Sequence, residues 1–171
     1  MRRRFRAGST GATPSPDPQQ AGQEARLAAV TLLARRDFAS GELAARLQQD
    51  GYPAEAVAAV IADLTVGRIL DDARFATQYV AYHAQRGHGP RRIAMELANR
   101  GVAPLHIEAA LAAGPDWAAR AREVRIRRFG LTPPESWAEK AKQGRFLQYR
   151  GFSSDHVRSA LGPDFESEDP S

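Results

Sequence analysis

Apolar residues recur in this chain on two nested scales. On the longer one, the segments LQQDGYPAEAVAAVI, LANRGVAPLHIEAAL and LQYRGFSSDHVRSAL begin at Leu47, Leu97 and Leu147, a spacing of fifty residues. The aligned positions are Gly51, Gly101 and Gly151, then Tyr52, Val102 and Phe152, then Val57, Ile107 and Val157, and last Ile61, Leu111 and Leu161. On the shorter scale, the last two sets are apolar pairs at i and i+4, which predicts one buried helical stripe in each segment. Upstream of each leucine runs another helical pattern: EARLAAVTLLARR, DDARFATQYVAYHAQRG and DWAARAREVRIRRFG.

The leucine–glycine–apolar spacing has a local physical reading. A helix that ends with a left-handed glycine at C′ folds the following residue back onto the side chain at C3. Leu47 with Tyr52, Leu97 with Val102 and Leu147 with Phe152 are therefore predicted contacts of Schellman helix ends. A further helix starts at once, with Pro104 suited to a first helical position and Ser153 to an N-cap. Asp71, Asp72 and Asp116 stand where a cap or a favourable charge is needed at the start of the upstream helices.

Each unit is thus three helices, and the fold class is all-α, with three tandem three-helix repeats of about fifty residues. The units are placed at 24–70, 71–114 and 115–162, with second helices at about 40–50, 90–100 and 137–150. Residues 1–23 read as a basic, Pro-rich disordered tail and 163–171 as an acidic one. Units this small cannot hide their apolar faces alone, so an elongated, curved stack is expected, offering a long surface to a partner.

Composition supports this and narrows the classes. Alanine, leucine and arginine are plentiful and β-branched residues thin, which favours helix over strand. The absence of cysteine excludes a disulfide framework and thiolate zinc sites and fits a cytoplasmic protein. No apolar run approaches the roughly 18 residues of a membrane span. MRRRFRAGST has no apolar stretch behind it, so neither a secretory signal nor an anchor is expected. Its Arg-rich, acid-poor character also fits a transit peptide, but the Pro-rich stretch that follows lacks an amphipathic period.

The net charge of +4 hides a gradient. Residues 116–162 carry ten Lys and Arg against five Asp and Glu, whereas 24–70 carry five against six. A polyanion such as nucleic acid is one partner that suits the last third, and a solvated basic surface is the plain alternative.

Catalytic chemistry finds little support. His106 and His156 are repeat-equivalent positions beside the apolar Ile107 and Val157, so they belong to different units and share no metal. His83 and His88 bracket a helix end with no carboxylate nearby at ligand spacing, and a structural role is expected of both. Asp71 and Asp72 diverge from a helix start, where capping needs only one of them. RGHGP lacks the lysine and hydroxyl of a phosphate-binding loop and reads as a turn. No catalytic residue, metal or cofactor is assigned, and a non-enzyme is expected.

The cations are the informative set. Arg86, Arg91 and Arg92 lie in the middle unit, and Arg120, Arg122, Arg125, Arg127 and Arg128 in the third. Arg122, Arg125 and Arg128 are three apart on one helix and are expected to form a stripe able to pair with phosphates or an acidic groove. Lys140, Lys142, Arg145 and Arg150 extend that charge to the next helix. Trp117, Trp137, Phe129 and Phe146 could stack on bases but are expected in the core.

At GRILDDARFATQYVAYHAQRGHGPRRIAMELANRGV the chain resembles the RecX regulatory proteins, with Asp72, Phe75 and Ala76 matching the acidic-aromatic signature of that family. The GPRRIAMEL run, with Gly89, Ile93, Glu96 and Leu97, matches too, followed by Gly101. So do Glu42 and Leu43, and Lys142, Arg145, Phe146, Leu147, Arg150, Gly151 and Phe152. The resemblance covers almost all of residues 25–162. One departure is Ala39, where the family often has serine, which would shift an N-cap to Ser40.

The resemblance implies a regulator that binds the filament of the RecA recombinase on DNA, lies along its groove and inhibits its ATPase and strand exchange. It implies contact by Arg91, Arg92, Lys142, Arg145 and Arg150, to which the charge pattern adds Arg86, Arg122, Arg125, Arg128 and Lys140. Weak, salt-dependent binding to single- and double-stranded DNA is expected alongside, and no membrane. The competing readings are a free-standing helical DNA-binding module and a helical scaffold with a protein-only partner.

Overall fold

The computed structural model describes residues 17–162, and the stretches expected to be tails lie largely outside that range. Among the described residues there are nine α-helices and no strand. The first unit holds α1 (Pro18–Leu33), α2 (Ser40–Gln49) and α3 (Ala54–Val66); the second α4 (Asp72–Gln85), α5 (Pro90–Asn99) and α6 (Pro104–Ala112); the third α7 (Trp117–Phe129), α8 (Trp137–Tyr149) and α9 (Ser154–Leu161). None is long and apolar enough to cross a membrane.

The first helix starts earlier than Glu24. Asp17 caps it by accepting from the Gln19 N–H at 3.2 Å, and Pro18 occupies the first turn. A proline there loses no helical hydrogen bond, so the last proline of the stretch expected to be a disordered tail is a helix start. Ala21, Ala25 and Ala29 then form its buried stripe.

The second helices end as their spacing predicts. The N–H groups of Tyr52, Val102 and Phe152 reach the Leu47, Leu97 and Leu147 carbonyls at 3.1, 3.2 and 3.1 Å. Gly51, Gly101 and Gly151 sit at φ +96°, +77° and +93°. Ser153 caps α9 in a capping box with His156, each side chain accepting from the other's backbone N–H at 3.3 Å.

Broad helix–helix packing is confined to the units, with first helix on third and second helix across both. Each unit has its own core: Leu43, Leu47, Val57 and Leu64 in the first, Val80, Ile93, Leu97 and Val102 in the second, Leu147, Phe152 and Val157 in the third. Two residues tie the cores together. Ala39, at the start of α2, is buried in the middle unit's core, and Trp117 packs on the second and third cores while its Nε1–H donates to the Leu111 carbonyl at 3.2 Å.

Trp137 departs from expectation: it is 70 % exposed at the first position of α8. Trp137 shares the helical phase of the buried Ala141 and Gly144, so its exposure comes from its place in the first turn, where the chain before it leaves the ring uncovered, and not from its face. Phe129 and Phe146 pack edge to face with ring centroids 5.3 Å apart.

A candidate partner interface at the unit junctions

The units join through the ends of their second helices. At the C-terminus of α8, the Arg150 and Gly151 carbonyls accept from the Gly89 and Arg91 N–H groups at 2.8 and 3.0 Å, at the N-terminus of α5. These are backbone groups that neither helix can pair internally. At the other end of α5, Gly101 meets Gly41 of α2 so closely that a Cβ on either would stand under 3 Å from the other's Cα. α8, α5 and α2 therefore follow one another head to tail, with the negative end of one dipole against the positive end of the next.

Side chains complete the first junction. The Ser40 N–H and Oγ–H both donate to the Asp72 carboxylate, at 2.8 and 2.5 Å. Asp71 caps its own helix by accepting from the Arg74 N–H at 2.9 Å. The adjacent aspartates thus divide the work, one at α4 and one across the junction. The expected shift of the α2 N-cap to Ser40 is corrected here: Ala39 occupies the cap position, Ser40 is already helical, and the oxygen that serves this helix start comes from the next unit.

Beside it, Glu42 receives Arg100 from the middle unit at 2.6 Å and Arg36 from its own at 3.0 Å. Burial alone would raise the Glu42 pKa, but the Arg36 hydrogen bond and the Arg100 and Arg36 charges outweigh it and hold it below the ordinary value. Arg100 also lies over the Tyr79 ring, 5.2 Å from its centroid.

The second junction gathers four of the expected contact residues. Arg92 has its backbone N and Cβ against Gly151, and its Nε donates to Glu96 at 2.8 Å. Arg150, the repeat counterpart of Arg100, reaches back to the Arg86 carbonyl at 3.5 Å and stacks on Phe146. Arg86 lies against the Tyr82 ring and hydroxyl. Arg91 is exposed at the same place, and its charge is one of those that lower the pKa of the partly buried His156, after burial itself.

Arg122 and Arg128 are exposed on α7, and Lys142 and Arg145 on α8, while Lys140 is half-buried. Arg125 does not belong to the stripe. It is 6 % exposed, with Nη1 donating to Thr132 O at 3.2 Å and to Gln143 Oε1 at 3.5 Å and Nη2 to Leu131 O at 3.4 Å. Its Nε has no partner. The physical reason is helical phase: Arg125 stands four residues after Ala121 and beside Val124, on the buried face. The cation therefore braces the loop between α7 and α8, and the exposed stripe is interrupted.

The family-signature positions sit in these same places. Ala76, Ile93, Leu97, Leu147 and Phe152 are buried core. Phe75 and Phe146 pack partly buried against it. Asp72, Gly89, Gly101 and Gly151 make the junctions, and Glu96 binds the Tyr79 hydroxyl at 2.8 Å as well as Arg92.

One cluster lies outside the sequence-based expectations. His83 Nδ1 and His88 Nδ1 are 3.2 Å apart, and Glu96 of α5 brings a carboxylate oxygen to 3.9 Å from His83 Nδ1. Local spacing shows no carboxylate near these histidines because Glu96 arrives from the following helix. The other half is readable: Gly87, at φ +80°, gives α4 the same end as the second helices, with the His88 N–H on the His83 carbonyl at 3.1 Å. His83 and His88 are thus a C3 and C″ pair, which that motif brings together.

Comparison with known proteins covers the same three units. Family models for the first, second and third three-helix domains of RecX match residues 25–64, 71–111 and 116–161. Regulatory protein RecX of Halorhodospira halophila is 45 % identical over 141 residues, spanning 82 % of this chain and 88 % of that one. Regulatory protein RecX of Vibrio campbellii is 41 % identical over 143 residues, 83 % and 91 % of the two chains. A crystal structure of RecX from Lactobacillus salivarius superposes with a TM-score of 0.72 at 19 % identity, covering 84 % of this chain and 96 % of that one. Another RecX crystal structure gives 0.71 at 21 %, covering 84 % and 72 %. The chain belongs to the RecX family of regulatory proteins.

Proposed function

We propose that this chain binds the RecA–DNA filament and restrains RecA's ATP hydrolysis and strand exchange, modulating recombination and repair from the cytoplasm. The observation that carries the reading is RecX membership across all three units, since a filament partner has to be met along a length rather than at a point. Cations from two units, Arg91 with Arg86, Arg92 and Arg150, converge on one junction, and Lys142 and Arg145 lie exposed on the helix that leads into it. A filament on DNA presents phosphates and acidic protein surface together, which suits such a set.

The test is RecA ATP hydrolysis on single-stranded DNA while this protein is titrated from far below to equal stoichiometry. Inhibition well below one chain per RecA, insensitive to added DNA, supports a filament regulator. Relief by added DNA would mean competition for the strand by a DNA-binding module, and no inhibition would reject the proposal. Charge reversal belongs at Arg91, Lys142 and Arg145, which are exposed, rather than at Arg92, whose loss would also unpair Glu96.

A further inference from the structure

The corner between α4 and α5 holds more chemistry than a helix end requires. Its C3 and C″ positions, filled at the ends of the second helices by leucine with an aromatic or valine, are here two histidines whose Nδ1 atoms face each other at 3.2 Å. Around one zinc ion with nitrogen ligands at about 2.0 to 2.1 Å, two ligand atoms of a tetrahedral shell stand about 3.3 Å apart. The histidine pair already has that span. His83, His88 and Glu96 each offer an atom within 4.8 Å of the others.

We propose that His83 Nδ1, His88 Nδ1 and Glu96 Oε2 bind one divalent transition ion of the imidazole-preferring kind, zinc first, leaving a fourth position for water. The donor set of two imidazoles and a carboxylate suits zinc and its neighbours better than magnesium or calcium. The carboxylate must close in on both rings, by roughly half an ångström from its present 3.9 Å to His83 and by up to about 1.5 Å toward His88, whose ligand atom lies within 4.8 Å of it.

The surroundings meet the other needs of a metal site. Glu96 is ionised at neutral pH: burial pushes its pKa up, but the Arg92 and Tyr79 hydrogen bonds and neighbouring charges bring it below the ordinary value. Arg92 holds Oε1 and Tyr79 holds Oε2, fixing the carboxylate as outer partners of ligands do. Tyr79 also stacks on the His83 ring, with centroids 4.0 Å apart. Both histidines favour the neutral form, first through burial and then through Arg86, Arg92, Arg100 and Arg150 around them. Binding requires the ring that donates its Nδ1–H to move that proton to Nε2, so that both Nδ1 lone pairs face the ion. Those arginines work against a cation, and Glu96 supplies the opposing charge.

The position gives the ion a consequence. Residue 89, one past His88, donates its N–H to the Arg150 carbonyl at the junction with the third unit. An ion fixing His88 to α4 and α5 therefore stiffens the segment on which that junction hangs.

The experiment uses the full chain, stripped of metal. Zinc uptake is measured by competition with a chromogenic chelator, and cobalt is added separately to read the visible bands of a tetrahedral site. One ion per chain is expected, with a rise in melting temperature, and affinity about tenfold or more lower in His88→Gln. A His106→Gln, His156→Gln double variant is expected to bind as the wild type does. Equal uptake by wild type and His88→Gln, or loss confined to the double variant, would overturn the site. Ring resonances give a variant-free check: zinc should shift His83 and His88 and leave His106 and His156 in place, and the reverse pattern would overturn the proposal as well.

Discussion

A methyl group placed on Gly41 would stand 2.7 Å from the Cα of Gly101, sixty residues further along the chain. The two glycines belong to different units, and their approach brings the end of α5 onto the start of α2. At the other junction a Cβ on Gly89 would press even more closely on the Gly151 carbonyl carbon. Each second helix but the first thus ends at a residue that both turns the chain and admits a neighbour.

The two demands on glycine can be separated by substitution. Gly51 has φ +96° and nothing within 4 Å of where a methyl group would stand, so Gly51→Ala carries only the conformational cost, about 1 kcal/mol. Gly101→Ala carries that cost and a backbone collision as well, and the loss should exceed that of Gly51→Ala by roughly 1 to 3 kcal/mol. Paired denaturant melts decide it. Equal losses would mean that the junction opens without cost.

Asp72 acts as a cap supplied by one unit to another. Asp72→Ala removes the acceptor of the Ser40 N–H and Oγ–H while leaving Asp71 to cap α4, and should cost about 1 to 2 kcal/mol. The Asp72→Ala, Ser40→Ala double variant should cost less than the sum of the two singles, because they share one interaction. Strict additivity in the cycle would show that the contact contributes nothing.

What can be read from the sequence is what is local. Leu47, Gly51 and Tyr52 lie within one helix end, so their spacing predicts their geometry, and the fifty-residue repeat multiplies the signal. The junctions cannot be read this way, since nothing local to Gly41 says that Gly101 will press on it. Arg125 misleads because a spacing of three carries no phase until Ala121 and Val124 set it, and Trp137 because it has the phase of Ala141 and Gly144 but stands in the first turn of α8, where nothing covers it. The histidine corner is half legible: the helix-end rule applies to His83 and His88, but the arrival of Glu96 depends on how α5 packs.

Acid should weaken the first junction through Glu42. Its folded pKa lies below 4.5, so the stabilisation from Arg36 and Arg100 is present above that value and is lost as pH falls through the folded pKa. Thermal melts from pH 6 down to about 3 should therefore decline less steeply for Glu42→Gln than for the wild type. Parallel curves would mean that the carboxylate ionises alike in the folded and unfolded chains.

Arg125 separates architecture from binding. A buried guanidinium with long contacts and an unpartnered Nε is a poor source of stability, and an apolar side chain of similar length can replace such a group at little cost. Arg125→Met should thus cost no more than about 1 to 3 kcal/mol, since the Leu131 and Thr132 carbonyls it releases belong to exposed residues and only the buried Gln143 Oε1 loses its 3.5 Å donor. It should also leave the salt dependence of duplex DNA binding unchanged. The Arg122→Gln, Arg128→Gln pair removes two exposed cations from the same helix, and the log–log salt slope should become shallower by about 1.8 if both meet phosphates. A shallower slope for Arg125→Met alone would mean that α7 turns its buried face outward on DNA, while an unchanged slope for the pair would remove that helix from the contact surface and leave the second junction as the cationic site.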